Sequence, residues 1–554
     1  MKKLLSFFIY GLICGALFSF QILVAAAADY QFGLVIPKDV PAEGVPKLDK
    51  PDPTTLTGDT HAFLWIPPHA SKIRGVLLCP ANIIERRICS DEITREEAAR
   101  DGLAMLFFQA GWGRDFVNTP KLVPFIESML NQFADLSGYD ELKTVPWIPF
   151  GHSGNSQFCQ ALARQKPERT LANVVIKGAL PNPDKDGSTS GLVGIPILFV
   201  TGQFEEVAPP GGVRDAWWGV QMKRFATAKA AVPEALISGI EDRSHGHLNW
   251  FPDMSHYVAM FIHKAVVARV NETNATPTLT AVPYSSGWLA DPDEINPSAP
   301  VKDYKGDPTK AFWFFDEEQV LSWKSLYDKD RGKKEQMLAF VQDGAVAPWW
   351  NGWAVQQLKF EPLADGETFT AEAQFRDEIP PPFSDAGTKL GHSTQGDIQY
   401  QILGWAGNME QIGPKTFRVH FDREGVNGRT VHVLIGAIHP GDAEYRETVV
   451  VGTFDVPYNN AGTPQKITFP PIADVKADTQ IVPLNATVDS KRKPDYYVSW
   501  GPAEVEGDHL KILDIPDRAK YPIEVKVTAY QWGTANDPKF ATATPVTQTF
   551  HIVK

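Results

Sequence analysis

Val145-Pro146-Trp147-Ile148-Pro149-Phe150-Gly151-His152-Ser153-Gly154-Asn155-Ser156 decides how the rest of this chain is read. An apolar segment runs into Gly151-His152-Ser153-Gly154, and a helical pattern follows from Gln157 to Ala163. A strand that turns directly into a helix crowds its own backbone, which favours glycine beside the residue at the apex. A serine at such an apex is presented outward, and the helix N-terminus behind it offers unpaired N–H groups to developing negative charge. Ser153 is therefore the candidate nucleophile, with Gly154 N–H as one oxyanion donor. The similar string Gly391-His392-Ser393-Thr394-Gln395-Gly396 has no apolar strand before it and no helical pattern after it, so it reads as a polar loop.

Around Ser153 the chain resembles the α/β-hydrolase superfamily, whose pattern is Gly-x-Ser-x-Gly. Asn155 stands where that pattern has its last glycine, and Asn tolerates left-handed backbone better than most residues. Pro146 and Pro149 are unusual in a presumed central strand, which needs its N–H groups. Apolar runs at Ala62–Ile66, Gly75–Cys79, Leu103–Phe108, Val174–Ile176 and Ile195–Val200 read as strands. They alternate with helical patterns at Ile93–Arg100, Lys121–Leu136 and Ser255–Arg269. That alternation predicts a mostly parallel sheet with helices on both faces, and the resemblance makes residues 29–270 an α/β-hydrolase domain.

A serine hydroxyl is a weak nucleophile until a base takes its proton, and the base needs an acid to orient it. The resemblance implies the chain order serine, acid, histidine. After the strand Ile195–Val200 comes Thr201-Gly202-Gln203-Phe204-Glu205-Glu206, where the family has Gly-x-x-Asp. Glu205 takes the acid position, with Glu206 as the alternative. After the next strand, Ala235–Ile240, the loop reads Ser244-His245-Gly246-His247. Aligned with the family's Gly-His-Gly-aromatic, it makes His245 the base and puts His247 in the pocket wall; the reversed assignment is the alternative. The second oxyanion donor belongs to the loop Pro80-Ala81-Asn82-Ile83; proline has no N–H, which leaves Ala81 or Asn82. Trp112, Trp217 and Trp218 fall near the expected mouth and are candidate substrate contacts. His256 and His263 fall on the closing helix and read as surface or packing residues.

Met1 to Ala28 has the form of a secretory signal: Lys2-Lys3, a long apolar stretch, then Ala25-Ala26-Ala27-Ala28. Its removal would leave a secreted or periplasmic chain with no membrane attachment. A net charge of −13 argues against nucleic acid or an anionic membrane as partner. Cys79, Cys89 and Cys159 remain after the leader; a Cys79–Cys89 bridge is open, and no spacing suggests a metal site. Residues 271–352 combine a Pro/Asp/Ser-rich linker with the aromatic run Phe312-Trp313-Phe314-Phe315. Beyond them, short alternating segments predict two β-sandwich units, 353–470 and 471–554. Tyr496–Asp508 and Tyr521–Ala529 are similar to bacterial immunoglobulin-like modules.

The resemblance implies a serine hydrolase acting without a cofactor on a small-molecule or polymer-linked carboxylic ester, such as acetylated or feruloylated polysaccharide. A serine peptidase on the same scaffold and a non-catalytic binding protein are the rivals.

Overall fold

Strand-forming apolar runs too buried to face water must pair on both edges, and eight strands join in one sheet here. The computed structural model describes residues 30–36, 60–109, 115–183, 188–205, 216–271, 277–293, 295–349, 355–381, 383, 385–403, 409–420, 430–457, 459–534 and 536–554. The leader expected at 1–28, Trp112 and Glu206 lie outside the described residues. The strands are β1 (Phe32–Ile36), β2 (Thr60–Trp65), β3 (Gly75–Pro80), β4 (Leu103–Phe108), β5 (Trp147–His152), β6 (Asn173–Ile176), β7 (Ile197–Phe204) and β8 (Ile237–Gly246). They form one sheet in the order β1-β2-β4-β3-β5-β6-β7-β8. β2 is antiparallel to β1 and β4, and the other pairs are parallel.

The helices are α1 (Ile83–Ser90), α2 (Glu92–Asp101), α3 (Leu122–Ser137), α4 (Ser156–Gln165), α5 (Ala216–Ala231) and α6 (Pro252–Arg269). With them on both faces, this is an α/β-hydrolase fold. Every residue of β3, β4 and β5 is buried, as continuous apolar strands in a covered parallel sheet should be. Pro149 fits because of where it falls. Trp147 O accepts Leu171 N–H, so Pro149, two residues on, faces the same side, and pairing with β6 begins only at Phe150 opposite Val174.

Two strands run further than the sequence predicts. β7 continues to Phe204 and β8 to Gly246, so the stretch expected as a catalytic loop is largely strand. Their register slips there: Gly202 lies opposite Asp242, but Phe204 lies opposite Gly246. The surplus on β8 is a bulge, and Ser244 within it has φ 64°.

The aromatic run after the connector is a buttress for β8. Phe312, Trp313 and Phe314 are fully buried. Ser238 Oγ donates to Trp313 O. From α7 (Glu317–Asp328), Trp323 Nε1 donates to Gly239 O at 2.9 Å, and Tyr327 OH accepts Glu241 N–H at 2.8 Å. The C-terminal region consists of small, mostly antiparallel sheets. Val355–Gln357, Thr448–Pro457, Thr430–His439 and Gln399–Ile402 form one sheet, and Thr368–Thr370, Thr416–Val419 and Met409–Gly413 another. Phe369, Phe417 and Phe454 share the core between them. Further on, Val475–Lys476, Val546–Val553, Ile523–Tyr530 and Asp495–Trp500 form a second four-stranded sheet. Along Ile523–Tyr530 the apolar Ile523, Val525 and Val527 are buried while Glu524 and Lys526 are half-buried, the alternation of a one-sided strand. Among the described residues no helix is long and apolar enough to cross a membrane.

Candidate active site

β5 ends at His152, and the chain enters α4 through a single tight turn, Ser153–Asn155. Ser153 carries the strain, with φ 57°, a left-handed conformation that costs a non-glycine residue free energy. Gly151 is required by close approach, since a Cβ there would collide with Asn155 O and Cys159 Sγ. Asn155 is in the right-handed helical region (φ −69°), so it is not a stand-in for a left-handed glycine. Its side chain acts instead as a brace, with Nδ2 donating to Pro80 O at 3.0 Å and to Glu85 Oε1 at 2.9 Å. Glu85, on α1 and fully buried, also accepts His152 N–H at 2.7 Å, so one carboxyl oxygen pins both ends of the turn.

Burial pushes the Glu85 carboxyl up to about 8, although the bonds from His152 N–H and Asn155 favour its charged form. The folded protein therefore keeps a proton that the unfolded chain releases near 4.5, and stability falls as pH rises from about 4.5 to about 8. Glu85→Gln preserves the acceptor and has no proton to lose. Its Tm should fall less than wild type between pH 5 and pH 8 in matched buffers; parallel curves would refute a neutral buried carboxyl.

The loop after β3 reaches the same turn. Asn82 caps α1, its Oδ1 accepting Ile83 N–H at 2.9 Å, and its Nδ2 donates to His152 O at 3.2 Å. Ala81 N–H is bound to Phe108 O at 2.6 Å. With Pro80 lacking a donor and Ile83 capped, Asn82 N–H is the donor this loop has left to offer beside Gly154 N–H.

The end of β8 separates the two histidines, His245 within the bulged strand and His247 in the turn just past Gly246. Ser153 Oγ donates to His247 Nε2 at 2.8 Å, and His247 Nδ1 donates to Glu205 Oε2 at 2.6 Å. Glu205 is 5% exposed and its Oε1 accepts Gly202 N–H at 2.7 Å, so both its oxygens are engaged. The structure thus brings Ser153, Glu205 and His247 together and corrects the expectation for His245. The physical reason is that His247 lies in the turn past the end of β8, whereas His245 stays in the bulged strand and bonds Asp242 and Glu447. His247 backbone is held by the buried His152, whose Nε2 donates to His247 O at 2.9 Å. Burial and the charges of His247 and Lys177 keep His152 well below the usual histidine range, hence neutral.

His245 lies in a separate cluster. Its Nδ1 meets Asp242 Oδ1 at 2.5 Å, its Nε2 meets Glu447 Oε1 at 2.8 Å, and its ring stacks on Phe251 at 4.3 Å. The buried Lys177 pairs with Asp242 Oδ2 at 2.9 Å. Sequence reasoning missed Lys177, Asp242 and Glu447. Lys177 could have been noticed as a lysine closing an apolar strand, but Glu447 is 202 residues from His245 and left no local signal.

The tryptophan expectations divide. Trp218 turns inward against Phe199 (5.8 Å) and Phe312 (6.1 Å), a packing role rather than the mouth position expected. Trp217 is half-buried at the start of α5. His263 bonds Asp101 at 2.8 Å and His256 is exposed. Cys79, Cys89 and Cys159 are buried free thiols.

No protein-family model and no curated protein matches the chain. Solved structures do. The siderophore hydrolase EstA from Aspergillus nidulans is 13% identical, over 47% of this chain and 99% of that one, with a TM-score of 0.30. An esterase from Pyrobaculum calidifontis is 13% identical, over 44% and 88%, with a TM-score of 0.29. EstE1, a thermophilic carboxylesterase cloned from a metagenomic library, is 15% identical, over 44% and 91%, with a TM-score of 0.27. The fold assignment rests on strand order and register, not on these likenesses.

Proposed function

We propose that the protein is a serine hydrolase that cleaves carboxylic esters through an acyl-enzyme. The observation that carries this reading is the continuous chain Ser153 Oγ–His247–Glu205, at 2.8 and 2.6 Å, with its serine on a strained strand-to-helix turn. Ser153 Oγ attacks the ester carbonyl while His247 Nε2 takes its proton. The resulting oxyanion is met by Gly154 N–H and Asn82 N–H. His247 then returns the proton to the departing alkoxide, which leaves as the alcohol. Water, deprotonated by His247, attacks the acyl-serine; the acid is released as the Ser153 Oγ–acyl bond breaks and His247 gives its proton back to Ser153 Oγ. Glu205 accepts Nδ1–H throughout, fixing the tautomer and stabilising the imidazolium. No step draws on a cofactor.

The leader read at Met1–Ala28 would export the chain. An exported hydrolase with appended β units suits a polymer-linked ester, such as acetylated or feruloylated polysaccharide. A fluorophosphonate probe tests the chemistry: it should label the wild type, and the modified peptide should carry the adduct on Ser153. Failure to label, with the protein folded, would sink the hydrolase reading. A panel of acetyl-sugar, feruloyl and peptide substrates then tests the choice of ester, and faster cleavage of the peptides would overturn it.

A further inference from the structure

His245 has a carboxylate at each ring nitrogen, Asp242 Oδ1 at 2.5 Å and Glu447 Oε1 at 2.8 Å. Neither carboxylate can donate when ionised, and a neutral imidazole has a single N–H. Both bonds form together only with the imidazolium, so the ring is a fixed cation, 3% exposed. One of its carboxylates belongs to β8; the other comes from the C-terminal β region, immediately before the strand Thr448–Pro457.

The chain of contacts continues toward the nucleophile. Asp242 Oδ2 pairs with Lys177 Nζ at 2.9 Å, and Lys177 Nζ donates to Gly246 O at 2.6 Å and to Asn249 O at 2.7 Å. Gly246 and Asn249 bracket His247. The backbone on both sides of the Ser153 partner is therefore held by one lysine, whose own position depends on Asp242, His245 and Glu447 in turn. Two cations and two carboxylates make the row neutral. The same β region also packs beside Glu205, where Phe383 meets Phe204 at 6.4 Å and Trp349 meets Phe383 at 6.4 Å.

We propose that Glu447 is a positioning residue of the hydrolytic site, holding His245 as the imidazolium that fixes the bulge from which His247 is aimed. The proposal rests on the Ser153–His247–Glu205 reading above. Removing the Glu447 charge does two things. It weakens the imidazolium and hence the bulge, and it leaves an excess positive charge beside a base that must itself become positive.

The charges facing this row come from several elements. Lys329, just past α7, faces Glu447 and Asp242 and pairs with Asp253 of α6 at 3.1 Å. Asp330 faces Lys329, Arg446, Glu447 and Lys333. Arg446 pairs with Glu335 at 3.2 Å. Burial pulls the His245 imidazolium down, but Asp242 and Glu447 outweigh it and the net direction is upward. Burial pushes Asp242 up, yet His245 and Lys177 hold it well below the usual carboxylate range.

The test is the pH profile of Glu447→Gln in the full chain, read as fluorophosphonate labelling rate and as kcat on an activated ester. Loss of the His245 imidazolium sets the alkaline limb of that profile. In Glu447→Gln the alkaline limb should move down by about 1–3 pH units, the shift expected when one opposite charge is removed. Glu447→Asp, which keeps the charge, should restore much of the lost range. A role in packing alone would scale the profile without moving its limb.

Stability gives a readout independent of activity. A histidine raised in the folded state contributes fully below its unfolded value of about 6.5, and that contribution disappears as pH rises through the folded value. The Tm gap between wild type and Glu447→Gln should therefore be open at pH 6 and close on the alkaline side. Unchanged limbs in a labelled, folded Glu447→Gln protein would overturn the proposal. No labelling of wild type at any pH would instead bring down the hydrolase reading and the positioning role together. In that case the Tm gap would still report whether the imidazolium bridge exists.

Discussion

His247→Ala is expected to lower kcat by roughly 10⁴–10⁶-fold, because without an acceptor at 2.8 Å the Ser153 hydroxyl keeps its proton at neutral pH. KM should change little, since the lost bond goes to the nucleophile. His245→Ala, two residues away, should behave differently. It removes the partner of the buried Asp242 and leaves that carboxylate facing Lys177 alone, a loss of about 3–5 kcal/mol of stability for breaking a buried charged pair. Its effect on kcat should stay within about 10²-fold, the scale of a misplaced but intact catalytic group. Steady-state kinetics and thermal melts of the two mutants side by side decide the matter. If His245→Ala is the more damaging in kcat while still folded, the base is His245 and His247 loses its role.

Glu205→Gln should cost on the order of 10²–10⁴ in kcat, and the hydrogen-bond count explains why an isosteric change is so damaging. Both carboxylate oxygens accept N–H donors, Gly202 N–H on Oε1 and His247 Nδ1–H on Oε2. An amide has one acceptor to offer. With its NH₂ turned toward Gly202, it sets two donors against each other in a buried place, a penalty of about 1–3 kcal/mol. With its NH₂ turned toward His247, it makes the ring accept at Nδ1, which moves the ring proton to Nε2, where it faces Ser153 and the base is lost. Glu205→Asp retains both acceptors on a shorter arm and should fall between Gln and wild type. A Glu205→Gln enzyme within a few-fold of wild type would remove Glu205 from the catalytic role.

The strained turn at Ser153 was legible in the sequence because the features that mark it are local: an apolar strand, a crowded glycine and a helix start lie within twelve residues. The parallel sheet was legible for a related reason, since doubly covered strands such as Leu103–Phe108 are apolar at every position. The choice between His245 and His247 was not legible. In an unbroken strand both would face the same way, but β8 ends at Gly246 after a bulge at Ser244, so His247 leaves the strand that holds His245. A bulge of that kind is stabilised by contacts to other elements, among them Gln203 Oε1 accepting Ser244 N–H at 3.0 Å, which no window along β8 contains. Asn155 carried a readable signal that pointed to the wrong mechanism. Its identity suggested tolerance of left-handed backbone, whereas its amide ties the turn to Pro80 and Glu85. Trp218 likewise looked like a binding residue because the Phe312 ring it packs against lies nearly a hundred residues downstream.

Gly33 and Trp500 set an order of events for the growing chain. A Cβ at Gly33 would fall inside the Trp500 indole, which also lies edge-on to Phe63 at 5.4 Å, so β1 and β2 at the edge of the eight-stranded sheet are finished by a residue more than four hundred positions downstream. At ribosomal speeds of about 5–20 residues per second, Trp500 is made roughly half a minute to a minute and a half after Gly33. Until then β1 and β2 wait with an apolar face uncovered. The eight-stranded sheet reaches its final burial only once Trp500 has been made, and a nascent chain stalled short of it would be held with that face open to chaperones, proteases and its neighbours.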